Sequence, residues 1–106
     1  MIKHIVMFKL KDFGEEEKLE KANQLKQEVE SLKDKIPQIA FIEVGINTSA
    51  RETAHDAILI SEFKTKEDLN IYRDHPEHVK VVEFIRSIVE ETAVVDYFGN
   101  KHNCSC

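Results

Sequence analysis

The sequence of 106 residues contains no tryptophan, three glycines, two prolines and two cysteines. Both cysteines, Cys104 and Cys106, lie at its C-terminal end, so we expect no disulfide framework and a reducing cytoplasm as the compartment. No apolar run approaches the roughly 18 residues that a membrane-spanning helix needs, and we expect no membrane partner. Because no proline-, glycine- or serine-rich tract divides the chain, its length predicts one domain.

Basic residues are outnumbered by acidic ones: 15 Lys and Arg stand against 20 Asp and Glu, a formal net charge of −5. Nucleic acids are bound through their phosphates and favour a basic protein surface, so we expect no nucleic-acid partner. Two motif classes are also missing. The polar segment Asn47–Thr53 has no glycine-rich phosphate cradle, and no nucleophilic-serine motif occurs.

A regular succession of apolar patterns is what the sequence does contain. It predicts strands over Ile2–Leu10, Ile39–Ile46, Ala57–Phe63 and Ala93–Phe98. Between the first two strands, a three-and-four spacing predicts a long helix that Pro37 ends. Its inner stripe is Leu19, Ala22, Leu25, Val29, Leu32 and Ile36.

The second helical region is predicted to be broken in two. Thr65 caps a short helix, and a new helix begins at Pro76, because proline is favoured at a first helical position. The inner stripe of the new helix is Val79, Val82, Ile85, Ile88 and Val89. The resulting β-α-β-β-α-β order predicts a ferredoxin-like α+β fold, with helices on one face of an antiparallel four-stranded sheet. We assign residues 1–98 to this domain and 99–106 to a polar tail.

The strands are apolar on both faces, which a sheet covered by helices on one side does not require. The residues expected on the uncovered face are Ile5, Met7, Ile58, Ile60 and one of Val94 and Val95. A bare apolar patch of this kind usually marks an interface, so we expect a homodimer that packs sheet against sheet. The alternative is a few tolerated surface hydrophobes.

A phenol and two imidazoles surround the helix break, at Tyr72, His75 and His78. His78 is expected as the third residue of the new helix, where positive potential favours a neutral imidazole that can accept a proton. Tyr72 is expected to donate a hydrogen bond, and His4 lies on the helix-facing side of the first strand. The alternative is structural: His75 caps the helix, His78 satisfies a nearby carbonyl, and Tyr72 and His4 belong to the core.

Three elements together resemble the stress-responsive A/B barrel domain family. They are Lys3-His4-Ile5-Val6, Tyr72 with His75-Pro76-Glu77-His78, and Val94-Val95-Asp96-Tyr97. The resemblance implies a dimeric α+β barrel. A plant member closes a linear polyketide by aldol condensation without a cofactor. By that resemblance His78 is the general acid/base, Tyr72 its supporting tyrosine, and His4 and His75 further supporting residues.

Three functions follow as hypotheses. The first is a cofactor-independent acid/base enzyme acting on a small carbonyl or polyketide-like compound. The second is a non-catalytic homodimer that binds a small apolar metabolite or acts in a stress response. The third is a monooxygenase-like member of the barrel superfamily, which the lack of tryptophan disfavours. The tail residues His102, Cys104 and Cys106 have metal-ligand side chains, but we expect a frayed tail and no metal.

Overall fold

Four antiparallel strands form the sheet of this protein, in the order β2-β3-β1-β4. The computed structural model describes residues 1–99. The strands are β1 (Ile2–Leu10), β2 (Phe41–Ile46), β3 (Ala57–Phe63) and β4 (Val89–Phe98). The helices are α1 (Glu15–Glu30), continued by a 3₁₀ turn (Ser31–Asp34), α2 (Lys66–Asp74) and α3 (Pro76–Ile88). The predicted ferredoxin-like order, including the break before Pro76, is confirmed.

The central strand β1 fixes which residues share a face, because directly opposed residues of antiparallel strands lie on the same side. His4 is opposite Ser61 on β3 and Asp96 on β4. Towards the other end of the strand, Phe8 is opposite Thr92. This helix-facing side carries the core, whose β1 members Ile2, Val6, Phe8 and Leu10 are all buried.

The first helix differs from the prediction at both ends. Burial along α1 starts only at Ala22, so Leu19 is 55% exposed and does not join the inner stripe. The α-helix also ends at Glu30 rather than at Pro37. A 3₁₀ turn replaces its last part, as is common at helix C-termini, and keeps Leu32 buried.

The inner stripe of α3 is rotated relative to the prediction. Val79 is 44% exposed, whereas Val81, which the prediction omitted, is buried. Since the helix begins at Pro76, its inward-facing positions run through His78, Val81, Val82 and Ile85, all of which line one cavity. His78 therefore occupies the inward position that Val79 was expected to fill.

Two strand boundaries also differ. Strand β2 begins at Phe41 because the Ile39 amide donates to the carbonyl of Ile36 in a turn after Pro37, although Ile39 itself is buried. Strand β4 begins at Val89, directly after α3, rather than at Ala93. The polar residues near its start, Glu90, Glu91 and Thr92, are exposed, which an edge strand tolerates.

The central part of the sheet face opposite the helices is apolar and open, as expected. Ile5 pairs with Val95 and Met7 with Ala93, so Val95 is the member of the Val94/Val95 pair on this face. Val95 is 59% exposed and Met7 40% exposed. Within residues 1–99, no helix is long and apolar enough to cross a membrane.

Side chains of α1 close the outer edge of β2. The Lys26 ammonium donates to the Val44 carbonyl over 2.7 Å, and the Glu30 carboxylate accepts from the Val44 amide over 3.0 Å. Partial burial raises the pKa of Glu30, but the Lys26 hydrogen bond and charge, with the Val44 amide, outweigh burial and hold this pKa below its ordinary value. The outward-facing amide and carbonyl of Val44 are thus satisfied without a further strand.

Candidate functional site

A cavity of about 260 Å³ lies between the helix-facing side of β1 and β4 and the inner side of α3. Its walls are mostly aliphatic. They include Val6 and Phe8 from β1, Val29 and Leu32 from the first helical region, and Val82 and Ile85 from α3. The polar lining residues are His4, Tyr72, His78, Arg86 and Thr92. Such an apolar cavity with a few convergent polar groups is the usual form of a small-molecule site.

The helix break brings Tyr72 and His78 together. Their ring centroids are 4.4 Å apart, and Tyr72 is only 2% exposed. The His78 Nδ1 lies 2.9 Å from the Arg73 carbonyl oxygen. Because a carbonyl can only accept, Nδ1 carries the hydrogen and donates. In the neutral ring, the lone pair able to take a proton is therefore on Nε2.

Burial sets the protonation of both groups. Desolvation lowers the pKa of His78 below its ordinary value, and the nearby His4 and Arg73 lower it further. The hydrogen bond to the Arg73 carbonyl and the charge of Asp74 oppose this shift without reversing it. Burial likewise raises the pKa of the Tyr72 hydroxyl. Near neutral pH the pair is thus a neutral imidazole beside a protonated phenol.

His4 lies beside Tyr72 and His78 and is hydrogen-bonded to Asp96, a residue to which the sequence assigned no role. Its Nδ1 donates to Asp96 Oδ1 over 2.5 Å, and its ring is 6.2 Å from that of Tyr72 in an edge-on arrangement. The other Asp96 oxygen lies 3.7 Å from the Arg73 guanidinium. The register of β4 against β1 is the signal for this pair, because it places Asp96 directly opposite His4.

His75 has a different position. It is the N-cap of α3, and its Nδ1 accepts a hydrogen bond from the Glu77 amide over 3.1 Å. It does not line the cavity with Tyr72 and His78. Its observed contact is with the start of the helix that carries His78.

A larger hollow, of about 460 Å³, lies at the open face of the sheet. It is lined in part by Met7, Ile58 and His55. The His55 Nε2 is buried without a hydrogen bond, 3.5 Å from a Glu91 carboxylate oxygen. We take the smaller cavity as the candidate site because it alone of the two collects several titratable groups against apolar walls.

No group of three His, Cys, Asp or Glu side chains in residues 1–99 is arranged to hold a metal ion. The tail residues His102, Cys104 and Cys106, considered above as ligand types, lie outside the described residues.

Similarity to known proteins extends over nearly the whole chain. A sequence model of the stress responsive A/B barrel domain matches residues 2–98. A stress-response A/B barrel domain-containing protein of Arabidopsis thaliana is 32% identical over 106 residues, covering 95% of this chain and 48% of that protein. The chain thus spans about half the length of this relative.

Solved structures agree with the fold. A dimeric protein of unknown function with a ferredoxin-like fold, from Bacteroides fragilis, is 41% identical with a TM-score of 0.83; the match covers 91% of this chain and 93% of that one. A hydroxynitrile lyase from Passiflora edulis has a TM-score of 0.78 at 16% identity, covering 94% of each chain. The second likeness concerns the fold alone.

Proposed function

Because the chain belongs to the stress responsive A/B barrel domain family, we propose that its cavity carries out acid–base chemistry, without a cofactor, on a small carbonyl or polyketide-like compound. One observation supports this most. A neutral His78 with Nε2 free to accept a proton and a protonated Tyr72 line the same apolar cavity. Proton transfer by a positioned imidazole typically contributes about 10²–10⁴-fold to a rate.

His78 is proposed as the base. Its Nε2 takes a proton from the carbon next to a carbonyl, and the electron pair of the broken C–H bond moves to the carbonyl oxygen. The Tyr72 hydroxyl donates a hydrogen bond to that oxygen as negative charge develops there, which the apolar walls strengthen. The Arg73 carbonyl, held by Nδ1–H, stabilises the imidazolium that forms. The enolate then adds to a second carbonyl, and the proton returns from Nε2 to the new alkoxide.

His4 is proposed to support this pair. Its Nδ1–H donates to Asp96, so its own Nε2 is the remaining acceptor at the same end of the cavity. Asp96 fixes the ring orientation and the tautomer of His4, in the way that carboxylates commonly orient imidazoles. His75 contributes indirectly, by capping the helix on which His78 stands.

We also propose that two copies pack through their open sheet faces as a homodimer. Exposed apolar side chains, among them Val95 and Met7, support this because they leave an apolar face with no cover in one copy. The Bacteroides fragilis relative is a dimer, which is consistent with the proposal.

Ligand binding without chemistry is the second candidate function. The rings of Phe63, Tyr72 and His78 pack in series, at centroid distances of 4.9 Å and 4.4 Å. Such packing also stabilises a core that does no chemistry. On this alternative, replacing His78 lowers stability and leaves ligand binding unchanged.

The test uses linear 3-oxo and 3,5-dioxo compounds as probes, with exchange of their α-protons in D₂O followed by NMR and ring closure followed by mass spectrometry. The protein is expected to accelerate exchange of at least one probe, and His78→Gln to lose at least about a hundredfold of that acceleration. His55→Gln is the matched control, because it removes an imidazole on the other face of the sheet. Equal acceleration by His78→Gln and the unchanged protein would reject the proposal, as would binding of the probes with no acceleration.

A further inference from the structure

The candidate cavity has two chemically different ends. His78 is the third residue of α3, and Arg86 follows eight residues later on the same helix. At a rise of 1.5 Å per residue, the two lie about 12 Å apart along the helix axis. The strands give the same division, because β1 carries His4 opposite Asp96 at one end and Phe8 opposite Thr92 towards the other.

Arg86 brings the only permanent charge to the cavity wall. Among the lining residues, the others are aliphatic or aromatic, or are His4, Tyr72, His78 and Thr92. Among the ion pairs of residues 1–99, none involves Arg86. Asp96, which lies opposite His4 in the sheet, already contacts His4 and Arg73.

We infer that the cavity takes an elongated monocarboxylate, whose carboxylate pairs with Arg86 and whose far end reaches Tyr72 and His78. This inference rests on the proposed function, for which it names the class of substrate. A guanidinium matches a carboxylate through two parallel hydrogen bonds. The Thr92 hydroxyl, which also lines the cavity, is a further hydrogen-bond donor. Between the two ends, Val82 and Ile85 offer an apolar wall to a hydrocarbon chain.

The size of the cavity sets the length of the chain. A volume of about 260 Å³ admits a small molecule rather than a long lipid chain. A chain of medium length, such as that of octanoate, is therefore the probe chosen. Because Arg86 itself is exposed at the end of α3, the carboxylate lies at the mouth and the chain points inward.

Binding of octanoate and of octanamide, measured by calorimetry, tests the inference. The two probes have the same length and differ in charge. The unchanged protein is expected to bind octanoate at least about tenfold more tightly than octanamide, since an ionised partner strengthens the hydrogen bonds of a guanidinium. Arg86→Gln is expected to bind octanoate at least about tenfold more weakly and so to lose this preference. Arg51→Gln, which removes a cation from a loop that does not line the cavity, is expected to keep it.

Three results with octanoate and octanamide would overturn the inference: equal affinity for the two probes, a preference for octanoate that survives Arg86→Gln, or saturable binding of neither. Octyl phosphate bound tenfold more tightly than octanoate would overturn the assignment of a carboxylate. His78→Gln separates the two proposals. It is expected to keep the preference for octanoate whether or not proton exchange depends on His78. The carboxylate site at Arg86 and the acid–base chemistry are therefore tested by separate measurements.

Discussion

The rings of Tyr72 and His78 lie 4.4 Å apart although six residues separate them in the chain. An unbroken helix would turn residues six apart to different sides. Here the extended backbone of His75 ends α2, and Pro76 begins α3 as its first residue. The helix break is thus the feature that builds the candidate site, and the polar groups around it determine how the site responds to substitution and pH.

The protonation of His78 gives the first prediction. Because burial lowers its pKa, the imidazole is expected to titrate below the ordinary histidine value of about 6.5. Its ring resonances, followed by NMR across pH 4–8, report this midpoint directly. A midpoint at or above 6.5 would contradict the burial argument.

The same shift predicts a change in stability with pH. Below about pH 6.5 the unfolded chain binds a proton at His78 that the folded protein excludes, so falling pH favours unfolding until the lowered folded pKa is passed. Above pH 6.5 the group contributes nothing to the pH dependence. In urea unfolding at pH 7 and pH 5.5, the free energy of unfolding of His78→Gln is expected to fall less on acidification than that of the unchanged protein. An equal fall would contradict this prediction.

His75 is expected to act as a helix cap rather than in the reaction. His75→Ala leaves the Glu77 amide without its acceptor and is expected to lower the free energy of unfolding by about 1 kcal/mol. His75→Asn, which retains an N-cap acceptor, is expected to recover most of this. Were His75→Asn stable but without proton-exchange activity, His75 would belong to the chemistry.

Glu30 is expected to stabilise the β2 edge in a pH-dependent way. Glu30→Gln weakens the contact with Lys26 and the Val44 amide, at a cost on the order of 1 kcal/mol, since the carboxylate is partly exposed. Because the folded pKa is lowered, this contribution is present above the unfolded value near 4.5 and fades as pH falls through the folded one. Glu28→Gln on the exposed side of α1 is the control, expected to stay within about 0.5 kcal/mol. Equal effects of the two substitutions in thermal unfolding would contradict this account.

The open sheet face gives a prediction for the proposed dimer: a charge placed on this face is expected to dissociate it. Val95 is exposed in one copy, so Val95→Glu is expected to fold, but in a sheet-to-sheet dimer it buries an unpaired charge near Ile5. The dimer dissociation constant is expected to rise at least about a hundredfold, measured by sedimentation equilibrium. Glu83→Lys, exposed on α3, is expected to leave it unchanged. A monomeric unchanged protein at tens of micromolar, or an intact Val95→Glu dimer, would refute the proposed interface.

Local patterns predicted much of the fold because each depends on neighbours in sequence. Alternation gave β3 its observed bounds, Ala57–Phe63, and proline chemistry placed the start of α3 at Pro76. Family membership, expected from the His-Pro-Glu-His element and the terminal strand, is confirmed by the match over residues 2–98.

The remaining features depend on how elements meet, which periodicity does not determine. Val79 is exposed and Val81 is buried, opposite to the predicted stripe, because the phase of α3 is set by its contact with the sheet. The first residues of β4 are mostly polar and lie on an exposed edge, so the apolar pattern did not predict them as part of the strand. The partner of His4, Asp96, follows from strand register, and the place of Arg86 at the cavity follows from the packing of α3 against β4.

The pH profile of α-proton exchange tests the central claim most directly. For a probe whose exchange the protein accelerates, the rate is expected to rise with pH and level off, with a midpoint that matches the NMR titration of His78 and lies below 6.5. Tyr72→Phe is expected to lower the plateau without moving the midpoint. A profile that keeps its midpoint and plateau in His78→Gln would show that another group takes the proton, and the proposed acid–base site would be wrong.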